Sequence, residues 1–357
     1  MHTGGLTLSM YALERRQAAQ GRYLRSLLAR RWTVRSWLAS LALCVLVAGC
    51  PSGAGAASTG RPIRAGTPKV VTPSTVPNST LSGAGAFMGP VHQVPDGKIT
   101  IGYRQFGRGP SLLLVTGDTA PMSLWPTYLL QPLARHFRVT IFDNRGVGYS
   151  TDSLSQQMTV PLLAQDTAGL ITVLGLHRPT VVGWSMGGEI AITLEETHAA
   201  LLGKVVTSGG DAGSSHTVPP PPKMIAALNT PNAPVSVALN LLFPSTPAGK
   251  AATKRFVANY LAVPQETVSS TTLARQLQAE LAFLKYDGVW DKLGAIHTPT
   301  LVTNGAVDKG VPPINARRLA TRIPGAELGI YAGCAHGMMF QDAAKFVAQV
   351  VHFADDK

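Results

Sequence analysis

Thr180-Val181-Val182-Gly183-Trp184-Ser185-Met186-Gly187-Gly188-Glu189-Ile190-Ala191-Ile192 reads as strand, sharp turn and helix. The pentapeptide Gly183 to Gly187 has the form Gly-x-Ser-x-Gly. A serine at such a turn is held in a strained backbone and points its hydroxyl out of the sheet. Glycines on either side let the strand and the helix pass close to it.

The flanking sequence extends this unit in both directions. Leu112 to Val115 and Val139 to Phe142 are short apolar runs, as buried parallel strands tend to be. Lys98 to Tyr103 alternates as an edge strand does. A helical stretch lies around Trp125 to His136, and a second helix runs from Pro161 to Leu174. Pro161 suits its first turn, and Gly175 stops it. Lys204 to Thr207 reads as the next strand. Such alternation predicts a mostly parallel sheet with helices on both faces. The pattern breaks over 211–293, where helical pieces occur without a strand: Met224 to Leu228, Val235 to Phe243, Lys254 to Leu261 and Leu273 to Leu284. This block reads as a helical cap inserted between core segments 89–210 and 294–357. The core resumes with strand Thr300 to Thr303, helix Pro312 to Arg322, strand Glu327 to Tyr331 and a last amphipathic helix.

A serine hydroxyl is a weak nucleophile. It needs a base to take its proton and a carboxylate to orient that base. Asp308 follows one expected strand and His336 the next, in chain order Ser, Asp, His. In a parallel sheet the strands' carboxyl ends share one edge, so three loops there can gather Ser185, Asp308 and His336. Asp287, Asp291 and Asp211 are alternatives to Asp308. Two backbone amides would hold the oxyanion, one from Met186 and the other from Asp118 in Thr116-Gly117-Asp118. Asp143 and Arg145 read as structural turn residues, and Cys334 as a small buried neighbour of His336. No cluster has metal-ligand spacing and no glycine loop has the form of a nucleotide site, so neither metal nor cofactor is expected.

From about Gly89 to the C-terminus, roughly three quarters of the chain, the sequence resembles the α/β-hydrolase superfamily. The resemblance rests on Gly183 to Gly188, the turn Asp143 to Ser150, Gly305 to Asp308 with Val311-Pro312, Ala335-His336-Gly337, and Trp125. It is similar to bacterial esterases, lactonases and proline-iminopeptidase-like hydrolases. The resemblance implies a carboxylic ester hydrolase acting on a small acyl substrate with an apolar portion. Related alternatives are an aminopeptidase, a cofactor-free perhydrolase, or a binding lipoprotein that keeps the fold. An aminopeptidase would need cap acids for a substrate amine, and the cap has few: Glu266, Glu280 and Asp287. In one respect the sequence departs from the family: Thr116-Gly117 stands where His-Gly is usual.

The charge is unevenly spread. The 357 residues carry a net +12, but seven arginines and one acid fall within 1–35, so these account for half of it. No basic block interleaved with aromatics follows, which argues against a nucleic-acid partner. Arg30, Arg31 and Arg35 precede the apolar stretch Trp37 to Ala48, shorter than the ~20 residues of a membrane span. The stretch ends in Leu46-Val47-Ala48-Gly49-Cys50, which resembles the lipobox of bacterial lipoproteins. The expectation is a signal peptide over 1–49, lipidation of Cys50 and a flexible linker over 50–88 rich in Pro, Ser and Gly. Such a protein would sit on the outer face of the cytoplasmic membrane through a lipid anchor.

Overall fold

A computed structural model describes residues 72–77, 79–224 and 235–356. The expected signal peptide and Cys50, and most of the Met224 to Leu228 helix, lie outside them. Among the described residues nine strands form one sheet: β1 (Ser74–Thr75), β2 (His92–Asp96), β3 (Ile99–Gly107), β4 (Ser111–Val115), β5 (Arg138–Phe142), β6 (Thr180–Trp184), β7 (Lys204–Ser208), β8 (Thr300–Gly305) and β9 (Glu327–Tyr331). Their spatial order is β1-β2-β3-β5-β4-β6-β7-β8-β9. The first three pair antiparallel, and β5 through β9 run parallel. No helix among the described residues is long and apolar enough to cross a membrane.

Alternation of side chains across the central strands builds two cores. Leu112 and Leu114 of β4 face one side, and Leu113 and Val115 face the other. All five residues of β4 and of β6 are buried, as strands covered on both faces must be. Helices α1 (Thr127–Leu133) and α9 (Ala343–Asp355) cover the first face. Helices α2 (Val160–Val173), α3 (Met186–His198) and α7 (Pro313–Arg322) cover the second. Helix α2 starts where Thr159 Oγ1 accepts the Leu162 amide at 3.1 Å, with Pro161 in its first turn.

The cap carries α4 (Val235–Leu242), α5 (Pro247–Leu261) and α6 (Ser270–Ala282). Thr246 caps α5 through the Gly249 amide at 3.2 Å, and Ser269 caps α6 through the Thr272 amide at 3.0 Å. Leu241, Leu242, Phe243, Phe256 and Tyr260 join the first core, and Phe283 joins the second. The cap is thereby packed into the body of the protein. A short helix, α8 (Met338–Gln341), follows the His336 loop beneath it.

Two expectations need correction. The segment ending at residue 88 is not all linker. β1 pairs with β2, a 3₁₀ turn spans Gly83–Met88, and Met88 is buried. Phe87 meets Phe106 edge to face at 5.2 Å, and the buried Arg104 guanidinium donates to the carbonyls of Ser79, at 2.8 Å, and Gly89. A few apolar residues and a buried cation in need of acceptors order a stretch whose average composition argues for a tether. Nor is β3 an edge strand: it bonds β2 on one side and β5 on the other. The partner strand β2 is concealed in the sequence because Pro95 interrupts it.

The turn after β5 is structural, as expected. Asp143 accepts the amides of Met122 at 2.7 Å and Tyr149 at 2.9 Å. Arg145 makes a two-pronged, buried pair with Asp166 at 2.7 and 2.6 Å.

Candidate active site

The β6–α3 turn is built around close backbone approaches. A Cβ on Gly183 would lie 1.9 Å from the Gly187 carbonyl oxygen, and one on Gly187 would lie 2.3 Å from that of Val115. Glycine alone fits at both positions. Between them Ser185 adopts φ 57° and ψ −127°, a conformation that costs a side-chain-bearing residue about 1–3 kcal/mol. Its amide donates to the Ser208 carbonyl at 2.9 Å, and its own carbonyl accepts the Gly188 amide at 2.7 Å. These bonds tie the turn to β7 and to the first turn of α3, so the hydroxyl stands at the strand ends with its backbone fixed.

His336 and Asp308 reach the same place from the loops after β9 and β8. Ser185 Oγ is 3.0 Å from His336 Nε2, and His336 Nδ1 is 2.8 Å from Asp308 Oδ2. The other oxygen of Asp308 accepts the amides of Gly310 at 2.8 Å and Val311 at 3.0 Å. Both side chains are buried. The Trp184 indole donates to the His336 carbonyl at 3.0 Å. Cap helix α4 joins in: the His336 amide donates to the Leu241 carbonyl at 3.3 Å, and the Gly337 amide to that of Leu242 at 2.8 Å. The histidine is thus positioned by the core and the cap together.

The Thr116-Gly117-Asp118 loop runs beside the serine, since a Cβ on Gly117 would lie 2.9 Å from Ser185 Cβ. Met186, the other expected oxyanion residue, opens α3 and is fully buried. Asp118, Ser185 and His336 line one cavity of about 300 Å³. Of the alternatives to Asp308, Asp211 lines this cavity without bonding His336, and Asp291 lies in a 3₁₀ turn, Trp290–Ala295. Cys334 is buried, which pushes its thiol up to about 11 and keeps it protonated at neutral pH.

The α/β-hydrolase fold model matches residues 110–343, a span that runs from β4 past His336. The chain belongs to the α/β-hydrolase fold family. It is a hydrolase of that type, and its relatives agree. It is 30% identical over 259 residues to a protein of Caulobacter sp. (strain K31) named as a carbamate hydrolase, RutD; the match covers 70% of this chain and 94% of the relative. It is 28% identical over 276 residues to the 2-hydroxy-6-oxononadienedioate/2-hydroxy-6-oxononatrienedioate hydrolase of Paraburkholderia xenovorans (strain LB400), covering 72% and 91%. Among solved structures, an α/β-hydrolase fold protein from Chitinophaga pinensis superposes with a TM-score of 0.67 at 23% identity. That match covers 75% of this chain and 98% of the other, and is a likeness of fold.

In this α/β-hydrolase the cavity holds a feature that the reading of the sequence missed. Besides Asp118, the carboxylates of Glu189, Asp211 and Glu280 line it. Asp118 and Glu189 belong to the core, and Asp211 stands at the very start of the cap, just after β7, so counting acids on the cap helices understated the acidity around the serine. Burial raises Glu189 well above the usual carboxylate range, and the neighbouring Asp211, Glu280 and Asp118 add to this. Burial raises Asp211 too, against hydrogen bonds from the Gly213 amide and Thr217 hydroxyl. One signal was available: Glu189 is a lone acid inside the apolar opening of α3. The apolar wall includes Leu241 of α4, with Leu281, Leu284 and Val311.

Proposed function

We propose that this protein cleaves a carboxylic ester through an acyl-enzyme. Ser185 attacks the carbonyl, His336 takes its proton and later gives it to the leaving alcohol, and Asp308 orients His336 and stabilises its charged form. The amides of Met186 and Asp118 receive the oxyanion. Water, activated by His336, then releases the acid. The observation that carries this reading is the continuous relay from Ser185 Oγ to His336 Nε2 at 3.0 Å and from His336 Nδ1 to Asp308 Oδ2 at 2.8 Å. The dioate named for the Paraburkholderia relative is a poor model for the substrate, because among the described residues no lysine or arginine lines this cavity. A panel of esters of graded acyl length, run beside an aminoacyl amide, tests the reading. Turnover of esters is expected; a best rate on the amide, or no turnover at all, would overturn it.

The enzyme would work at the outer face of the cytoplasmic membrane, held by a lipid on Cys50. The support is the arginine-flanked apolar stretch ending in Leu46-Val47-Ala48-Gly49-Cys50. Cys50→Ala should move the exported protein from the membrane fraction to the soluble fraction. Unchanged fractionation would contradict the anchor.

A further inference from the structure

The cavity beside Ser185 is lined by more carboxyl groups than ester hydrolysis alone requires. Four carboxyl groups line it, and among the described residues His336 is its one basic side chain and no lysine or arginine reaches it. Glu189 is 2% exposed, and its Oε2 has no hydrogen-bond partner among the described residues. Neither Glu189 nor Asp211 belongs to an ion pair there. A buried carboxyl oxygen without a partner costs stability, and a cation held among the neighbouring carboxyl groups offsets that cost electrostatically.

Ionised together, the four carboxyl groups would repel one another and would oppose an oxyanion at Ser185, which lines the same cavity. A cation bound among the carboxylates removes that penalty. Among the described residues no three His, Cys, Asp or Glu side chains are grouped to hold a metal ion. An organic cation with several N–H donors suits the site better, because its donors can address carboxylates that lie apart. The apolar wall of Leu241, Leu281, Leu284 and Val311 leaves room for the carbon chain that carries it.

We propose that the substrate of this site is an ester bearing a protonated amine, with the ammonium held by Glu189 together with Asp211, Glu280 and Asp118; this assignment of substrate class rests on the serine-hydrolase reading above. Ammonium binding uses no step of the acyl transfer and can be measured apart from it.

The test has two arms. In the first, kcat/KM is measured for three series: esters carrying a terminal ammonium on the acyl or the alcohol side, isosteric esters ending in methyl, and esters ending in carboxylate. The best ammonium ester should exceed its methyl isostere by about tenfold or more, the scale of one charge-assisted hydrogen bond. The carboxylate series should be slowest. Glu189→Gln should lower the ratio of ammonium to methyl ester. If that variant fails to fold, the wild-type ratio alone decides. In the second arm, calorimetry on the wild-type protein compares n-butylammonium chloride, butan-1-ol and calcium chloride. The ammonium should bind, and more tightly than the alcohol or the calcium ion. Equal rates on ammonium and methyl esters, or no preferential binding of n-butylammonium, would overturn the inference while leaving ester hydrolysis intact. Absence of turnover on every ester would instead sink the ester-hydrolysis reading, and the calorimetry would still decide for or against the ammonium site.

Discussion

Ser185→Ala is expected to lower kcat/KM for the best ester substrate by about 10⁴–10⁶, the range seen when an activated nucleophile is removed from a catalytic triad. Ser185 Oγ is the atom that faces His336 Nε2 at 3.0 Å, and it stands in the loop where the β6 strand end meets α3. Alanine removes that atom and little else. The backbone bonds to Ser208 and Gly188 do not involve the side chain, and the glycines at 183 and 187 that permit the turn are untouched. The variant should therefore fold with an unchanged circular dichroism spectrum and thermal midpoint. Full-progress kinetics with purified protein would check it. Activity within tenfold of wild type would mean that another group attacks the carbonyl.

Asp308→Asn should cost about 10⁴ in kcat, for a reason that lies in hydrogen-bond direction rather than in charge alone. Asp308 Oδ1 accepts two backbone amides, from Gly310 and Val311, and Oδ2 accepts from His336 Nδ1. An asparagine at this position must keep its oxygen toward the two amides, which offer only donors. Its NH₂ group then faces His336 Nδ1, and that nitrogen must become the acceptor. The imidazole proton moves to Nε2, where it points at the serine and cannot take the serine's proton. The geometry survives while the base is lost. Comparison of kcat for wild type and variant at fixed pH measures the effect. A loss below about tenfold would transfer the role to another acid, Asp211 being the one of those considered that lines the same cavity.

The elements that decide the fold were legible because their physics is local. Strands β4 and β6 are short unbroken apolar runs, α2 carries its own cap and a proline in its first turn, and β9 begins and ends where the alternation of the sequence says it should. Ser185, Asp308 and His336 could be placed because each follows a strand, and parallel strands put their carboxyl ends together. Three features were not legible in this way. The order in 74–77 and 79–88 comes from contacts with Phe106 and Arg104, which lie well downstream. The inner position of β3 depends on pairing with β2, whose proline conceals it. The cavity's acidity is spread over four places: Asp118 after β4, Glu189 in α3, Asp211 after β7 and Glu280 in α6. Asp118, Asp211 and Glu280 stand in separate segments with separate expected roles, Glu189 is a lone acid in α3, and only packing of the cap against the strand ends makes them neighbours.

Asp118 shows how this changes the reading of the site. A carboxylate next to an oxyanion donor is unfavourable when considered alone. As one of four carboxylates around a cation it becomes part of a charge arrangement that binding completes. The cap then serves two ends: α4 holds the histidine loop through Leu241 and Leu242, and α6 supplies Glu280.

The claim on which the account turns is that Ser185 is a nucleophile activated by His336. Covalent labelling with a fluorophosphonate, followed by peptide mass spectrometry, tests it most directly because it needs no knowledge of the substrate. The account predicts one adduct, on Ser185, absent from Ser185→Ala and strongly slowed in His336→Ala. Well-folded wild-type protein that takes up no label, or takes it up on another residue, would contradict it.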